Sequence, residues 1–165
     1  MTNEPTEITI DPALDLVLER TVPVSPELVW AAWTEPEQVV KWFAPAPFRT
    51  SLCEIDLHPG GKFRTVMVSP EGEEMDGVGA FLEVVPNRRL TWTNTMAPGF
   101  RPTPGSDLPF TAFITIEPDG NGGSRYTAVA RHADDATRAQ HEAMGFHEGW
   151  GAALEQLVDL MQTQA

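Results

Sequence analysis

A chain of 165 residues with a formal charge of −13 is the size of one ordinary domain, and it repels phosphate backbones and anionic lipid. That balance argues against a nucleic-acid partner and against membrane insertion, while a hydrophobic content of 41% argues against disorder. The single cysteine, Cys53, excludes an internal disulfide and any zinc site built on paired thiolates.

Residues 1–12 read as a polar lead-in and residues 13–165 as one folded domain. Met1 to Glu7 is acidic and lacks the basic and apolar regions of a signal peptide, and no apolar run approaches the ~20 residues that span a bilayer. A cytoplasmic location is the expectation. Leu14 to Val22 alternates in period two and predicts a first strand. Ser25 then offers an N-cap, Pro26 suits the first helical position and Glu27 the positive helix end. Thr34-Glu35-Pro36-Glu37 repeats that signal, so two short helices follow in tandem across residues 25–43.

From Phe48 to His132 the signals are strands divided by turns. His58-Pro59-Gly60-Gly61, Pro70-Glu71-Gly72, Pro86-Asn87-Arg88 and Pro118 to Gly123 each supply turn residues. Six strands after the helices make seven in all, and tight connections make successive strands antiparallel. The segment from Ala97 to Pro109 is too long and too rich in proline for a simple hairpin, which fits a binding element or a tolerated insertion. Asp134 and Asp135 cap a helix through Met144. Phe146 to Met161 is then amphipathic, with Phe146, Trp150, Ala153, Leu154, Leu157 and Met161 on one arc and Glu148, Glu155, Gln156 and Asp159 opposite. This helix must lie on the sheet.

The order of strand, two short helices, six strands and long helix resembles the START-like helix-grip (SRPBCC) superfamily. Within it the chain resembles the bacterial single-domain members of the activator of heat-shock protein 90 ATPase homology family. The residues that carry the likeness are Val22 to Trp30, Thr34-Glu35-Pro36-Glu37 with Lys41-Trp42-Phe43, and Pro59 to Arg64. Gly77-Val78-Gly79 to Pro86, Arg89-Leu90-Thr91-Trp92, and His141 to Leu157 with Gly149-Trp150 complete the set. The resemblance implies an α+β fold in which a curved, seven-stranded antiparallel sheet wraps around the long C-terminal helix and encloses a hydrophobic cavity. Superfamily members bind lipids, polyketides or other apolar molecules, and a minority are cyclases or similar enzymes.

Alternation then assigns the lining of such a cavity. Phe110, Ala112 and Ile114 point inward on one strand, Trp92 and Met96 on another, and Tyr126 and Ala128 on the last, with Thr91, Thr93 and Thr95 outside. Trp150 and Leu154 face them from the helix, with Trp150 at the centre of the helix–sheet interface. His147, at the edge of the apolar arc, is placed to orient a polar group of a ligand, and Phe100 in the 97–109 segment to close the mouth as a lid. Small alanines beside large aromatics leave volume under the helix. Cys53 reads as a core residue.

No reaction is specified. His141-Glu142 begins like a zinc-protease motif, but His147 follows six residues later, ~600° around a helix, so the two imidazoles diverge. No phosphate loop and no nucleophile elbow occurs. The expectation is no metal, no cofactor and no assigned catalytic residue. The leading function is the binding of a small apolar or aromatic molecule. A cyclase or dehydratase using the same cavity is the alternative, with His147, Tyr126 or Glu83 as its acid or base. A co-chaperone-like module acting through its surface is the third, compatible with a protein partner or a weak homodimer.

Overall fold

Period-two segments and capped amphipathic ones settle into nine strands and four helices in a computed structural model, which describes residues 4–104 and 106–164. In chain order these are β1 (Asp15–Val22), α1 (Pro26–Thr34), α2 (Pro36–Trp42), β2 (Arg49–Ile55), β3 (Lys62–Val68), β4 (Glu74–Val85), β5 (Arg89–Thr93), β6 (Met96–Ala97), β7 (Arg101–Pro102), β8 (Thr111–Pro118), β9 (Ser124–Arg131), α3 (Asp135–Ala143) and α4 (Phe146–Gln162). Seven strands form one sheet in the order β1-β9-β8-β5-β4-β3-β2, and every neighbouring pair is antiparallel. The remaining two pair with each other. They lie inside the segment read from sequence as one long loop, which is instead pinched into a small ribbon.

The helices start where their caps dictate. The Ser25 side chain accepts a hydrogen bond from the Leu28 amide, and Pro26 occupies the first turn of α1. Glu35 is extended (φ −99°, ψ 115°) because the residue before a proline is kept out of the helical region, so Pro36 both ends α1 and begins α2. Asp134 caps α3 through the Thr137 amide at 2.7 Å. Gly145, at φ +92°, makes the sharp corner into α4 that a residue with a Cβ would resist.

Cross-strand partners share a face, so the register names the core. Ala112 faces Ala130, Ile114 faces Ala128 and Ile116 faces Tyr126, all with at most 2% exposure. Helix α1 packs on β8 and α4 on β1. The alanines therefore let helices approach the sheet closely. Gln156, placed on the polar side of the helical wheel, donates to the carbonyls of Trp42 and Ala44, both at 2.9 Å, and accepts from the Ala46 amide at 2.8 Å. Those three bonds tie α4 to the end of α2.

The lead-in lies across the outer face of the sheet. The Thr6 amide donates to Glu83 at 2.7 Å, and Arg89 donates to the Thr6 carbonyl at 2.8 Å. The outward-pointing Thr91 and Thr93 are only 2% and 1% exposed, Thr91 donating to Glu83 at 3.2 Å and Thr93 to the Phe110 carbonyl at 3.1 Å.

A candidate ligand cavity between sheet and helix

The inner face holds a chain of aromatic rings. Trp33 of α1 stands edge-to-face on Trp42 and Phe43, with centroids 4.9 and 5.8 Å away. Phe43 meets Phe63 of β3, Phe63 meets Trp92 of β5, and Trp92 meets Phe110, at 5.8, 5.1 and 5.4 Å. Phe110 reaches Trp150 of α4 at 6.0 Å. Edge-to-face rings keep their separations without filling the space they surround.

That space is a cavity of about 440 Å³, within the range that holds drug-sized ligands. Phe146, Gly149, Trp150, Ala153 and Leu154 form its helical wall, and Phe63, Thr65, Met67 and Trp92 its sheet wall. Trp33, Trp42 and Phe43 close one side. A Cβ added at Gly149 would meet nothing within 4 Å, so the glycine in the middle of the wall helps leave the volume open. Phe48, Met75, Val78 and Met144 line the cavity and are 38%, 39%, 44% and 66% exposed. They form an apolar rim at its opening, to which Leu108 and Asn94 also contribute.

Of the positions that alternation and the helical wheel single out, Trp92, Phe110, Tyr126, Trp150 and Leu154 meet in this lining. Six others do not. Ala112, Ile114 and Ala128 are fully buried beneath the helices. Met96 belongs to the ribbon. His147 is half-exposed on the outer side of α4, 3.9 Å from Glu142. Phe100 is half-exposed with its ring packed on Gly60, so it is no lid over this opening. Among the described residues of the 97–109 segment, Leu108 lines the cavity. Trp150 is partly buried and borders the cavity.

Glu83 also lies elsewhere. A bulge between Phe81 and Glu83 shifts the strand by one residue, so Phe81 faces inward with Trp92 while Glu83 faces outward with Thr91. There it accepts from Arg89 at 3.1 Å and from Thr91 at 3.2 Å. Burial alone would raise the Glu83 pKa, but its hydrogen bonds from Thr6 and the charge and hydrogen bond of Arg89 hold it below the ordinary value.

Two polar groups stand in the wall, Tyr126, which alternation points inward, and His141, which it does not place there. The Tyr126 hydroxyl accepts from the Trp33 indole at 3.1 Å, and burial raises its pKa despite that bond. His141, in the lining on α3, joins His132 across 2.9 Å, and His132 reaches the Leu14 carbonyl at 2.7 Å. Desolvation first, and the nearby His132 second, push the His141 pKa down to about 4. Cys53 is pushed up to about 12 by burial and then by Glu54 and Glu37, so it stays a thiol. Among the described residues no three His, Cys, Asp or Glu side chains gather as a metal site. No helix among them is long and apolar enough to cross a membrane.

A seven-stranded antiparallel sheet closed by a long C-terminal helix, with a cavity between, defines a START-like helix-grip protein. Residues 23–162 match the family described as Activator of Hsp90 ATPase homolog 1-like protein, and the chain belongs to that family. A crystal structure of a protein from Nitrosomonas europaea is 46% identical with a TM-score of 0.89, over 94% of this chain and 98% of that one. A Mycobacterium smegmatis protein is 25% identical with a TM-score of 0.75, over 94% and 95% of the two chains. The AHSA1-like protein from Aeromonas hydrophila, at 21% identity and a TM-score of 0.70 over 92% and 94%, shares the fold. A search of curated protein sequences gave no match.

Proposed function

We propose that this protein binds a small apolar or aromatic molecule in the cavity between sheet and C-terminal helix. The observation that carries the reading is the cavity itself: about 440 Å³ of space walled largely by aromatic rings. Interiors normally close such gaps, because a void forfeits contacts on every side. The exposed apolar rim of Phe48, Met75, Val78 and Met144 gives a nonpolar entrance to a nonpolar site.

Binding is favoured over catalysis because Glu83 and His147, two of the acid–base candidates read from the sequence, lie outside the cavity, and the lining sets His141 beside no carboxylate. The third, Tyr126, stays protonated by burial. A cytoplasmic location belongs to the same proposal, since one cysteine forms no internal disulfide. Native mass spectrometry of freshly purified protein tests the reading, with a co-purifying small molecule as the expected result. A bare mass, together with no saturable one-to-one binding of an apolar fluorescent dye, would overturn it.

A further inference from the structure

The two histidines fix each other's hydrogens. His132 Nδ1 lies 2.7 Å from the Leu14 carbonyl oxygen, and a carbonyl only accepts, so that nitrogen carries a hydrogen. With the ring neutral, His132 Nε2 is a lone pair. The 2.9 Å contact to His141 Nδ1 then places a hydrogen on His141 Nδ1, donated to His132. His141 is left with a bare lone pair on Nε2, on the side of the ring turned away from His132. Nothing in the protein donates to that nitrogen among the described residues, although His141 is only 5% exposed and part of the cavity wall. Among the described residues the buried polar atoms without a partner are Thr50 Oγ1 and Trp92 Nε1, so His141 Nε2 keeps access to the open volume, where a ligand can supply the hydrogen it lacks.

The surroundings narrow the donor. His141 is enclosed by Phe110, Phe146 and Trp150, at 4.9, 5.2 and 6.1 Å between ring centroids. The nearby carboxylate of Glu142 is turned to Arg138 at 2.9 Å and to His147 at 3.9 Å, so a cationic donor would lack a counter-charge. A carboxylate could accept from the buried, unpartnered Trp92 Nε1 but would meet a lone pair at His141, whereas a neutral O–H can accept from the one and donate to the other. What remains is a neutral O–H on a flat apolar frame. Burial keeps His141 unprotonated near neutral pH, which preserves the acceptor.

We propose that His141 Nε2 is the specificity-determining acceptor of the cavity and selects aromatic ligands that carry a phenol-type hydroxyl. The inference rests on the binding function proposed above and adds the chemistry of the ligand. His132 acts as a positioning residue, holding the His141 ring in the tautomer that presents the lone pair.

Calorimetric titration with 2-naphthol and with 2-methoxynaphthalene, on the native chain and on His141→Phe, separates the two ideas. The preference for 2-naphthol over its methyl ether should fall about five- to tenfold in the variant, the usual worth of one buried hydrogen bond. An unchanged preference overturns the assignment of His141 and leaves the cavity as a ligand site. If neither compound binds the native chain, both proposals fall together. Should the variant not fold, the ¹⁵N resonance of His141 Nε2 in the native protein decides. It should move on adding 2-naphthol and not on adding the ether, and a resonance unmoved by both overturns the proposal.

Discussion

The ring of Phe100 occupies the space that a side chain on Gly60 would need: a Cβ there would lie 2.6 Å from the ring. The Gly99 amide also donates to the Gly60 carbonyl at 2.8 Å, so the β6–β7 ribbon is fastened to the β2–β3 turn. Gly60→Ala must both displace the ring and hold φ at +82°, and should cost about 1–3 kcal/mol in a urea melt. Phe100→Ala should leave the affinity for 2-methoxynaphthalene unchanged, because the ring lines no part of the cavity. A loss of binding in that variant would restore Phe100 as a lid.

Gly149 gives two opposite outcomes from one position. Gly149→Ala adds a methyl group that meets nothing within 4 Å and removes the helix penalty of glycine. It should raise stability by about 0.5–1 kcal/mol. Gly149→Phe should fill the cavity and abolish dye binding while the protein remains folded by circular dichroism. Retained dye binding would mean that the ligand sits elsewhere.

The outer-face pair of Glu83 and Arg89 has side chains only 18% and 6% exposed. Removing the carboxylate leaves a buried guanidinium with fewer partners, so Glu83→Gln should cost about 2–3 kcal/mol at pH 7. The Glu83 pKa is lower in the folded protein, so its contribution is complete above the unfolded value of ~4.3 and is lost as pH falls through the folded value. Chemical denaturation at pH 7 and pH 3 should therefore show the gap between native and variant narrowing in acid.

His141 imposes its own acid limb. Its folded pKa of about 4 lies below the ~6.5 of an unfolded histidine, so the unfolded chain takes up the proton first. Stability from this group is whole above pH ~6.5 and declines as pH falls toward 4. The thermal midpoint of the native chain should drop between pH 7 and pH 4.5, and His141→Phe should lack that part of the decline. Parallel curves for the two proteins would refute the assignment.

The sheet, its antiparallel order and the long helix were legible because each rests on local signals: turn residues, caps and a clean change of period. Trp92, Phe110, Tyr126, Trp150 and Leu154 fell into place for the same reason, since alternation and the helical wheel report which way a side chain points. Glu83 faces outward because one bulged residue reverses the phase of β4, and nothing in the composition of that strand marks the bulge. The His132–His141 pair joins the end of β9 to a helix that follows it, and its role depends on the Leu14 carbonyl, 118 positions away in sequence. His141 is the buried residue of α3 among its described residues, which the fold and not the local sequence establishes. The ribbon at residues 96–102 was hidden by prolines that ordinarily argue against strands, and Pro102 is tolerated because β7 pairs on one edge only.

Trp150 and Leu157 allow the cavity to be weighed by mutation alone. Both belong to α4, but Leu157 is fully buried against the sheet, whereas Trp150 borders open space and is only partly buried. In a densely packed helix–sheet interface the larger side chain would cost more to truncate, because it removes more contacts. Here the order should invert. Leu157→Ala creates a new void where every neighbour was in contact, and should cost about 3–5 kcal/mol. Trp150→Ala enlarges a void that already exists, forfeiting contacts on one side only, and should cost about 1–2 kcal/mol. Urea denaturation of the two variants at one temperature supplies the comparison, with equal m-values as the check that both unfold alike. Bound ligand adds a second reading, since 2-methoxynaphthalene should raise the midpoint of native protein and of Leu157→Ala but not of Trp150→Ala, whose wall it has lost. Trp150→Ala proving the more damaging of the two would mean that its ring is packed on all sides, and that the volume beside it is closed in solution.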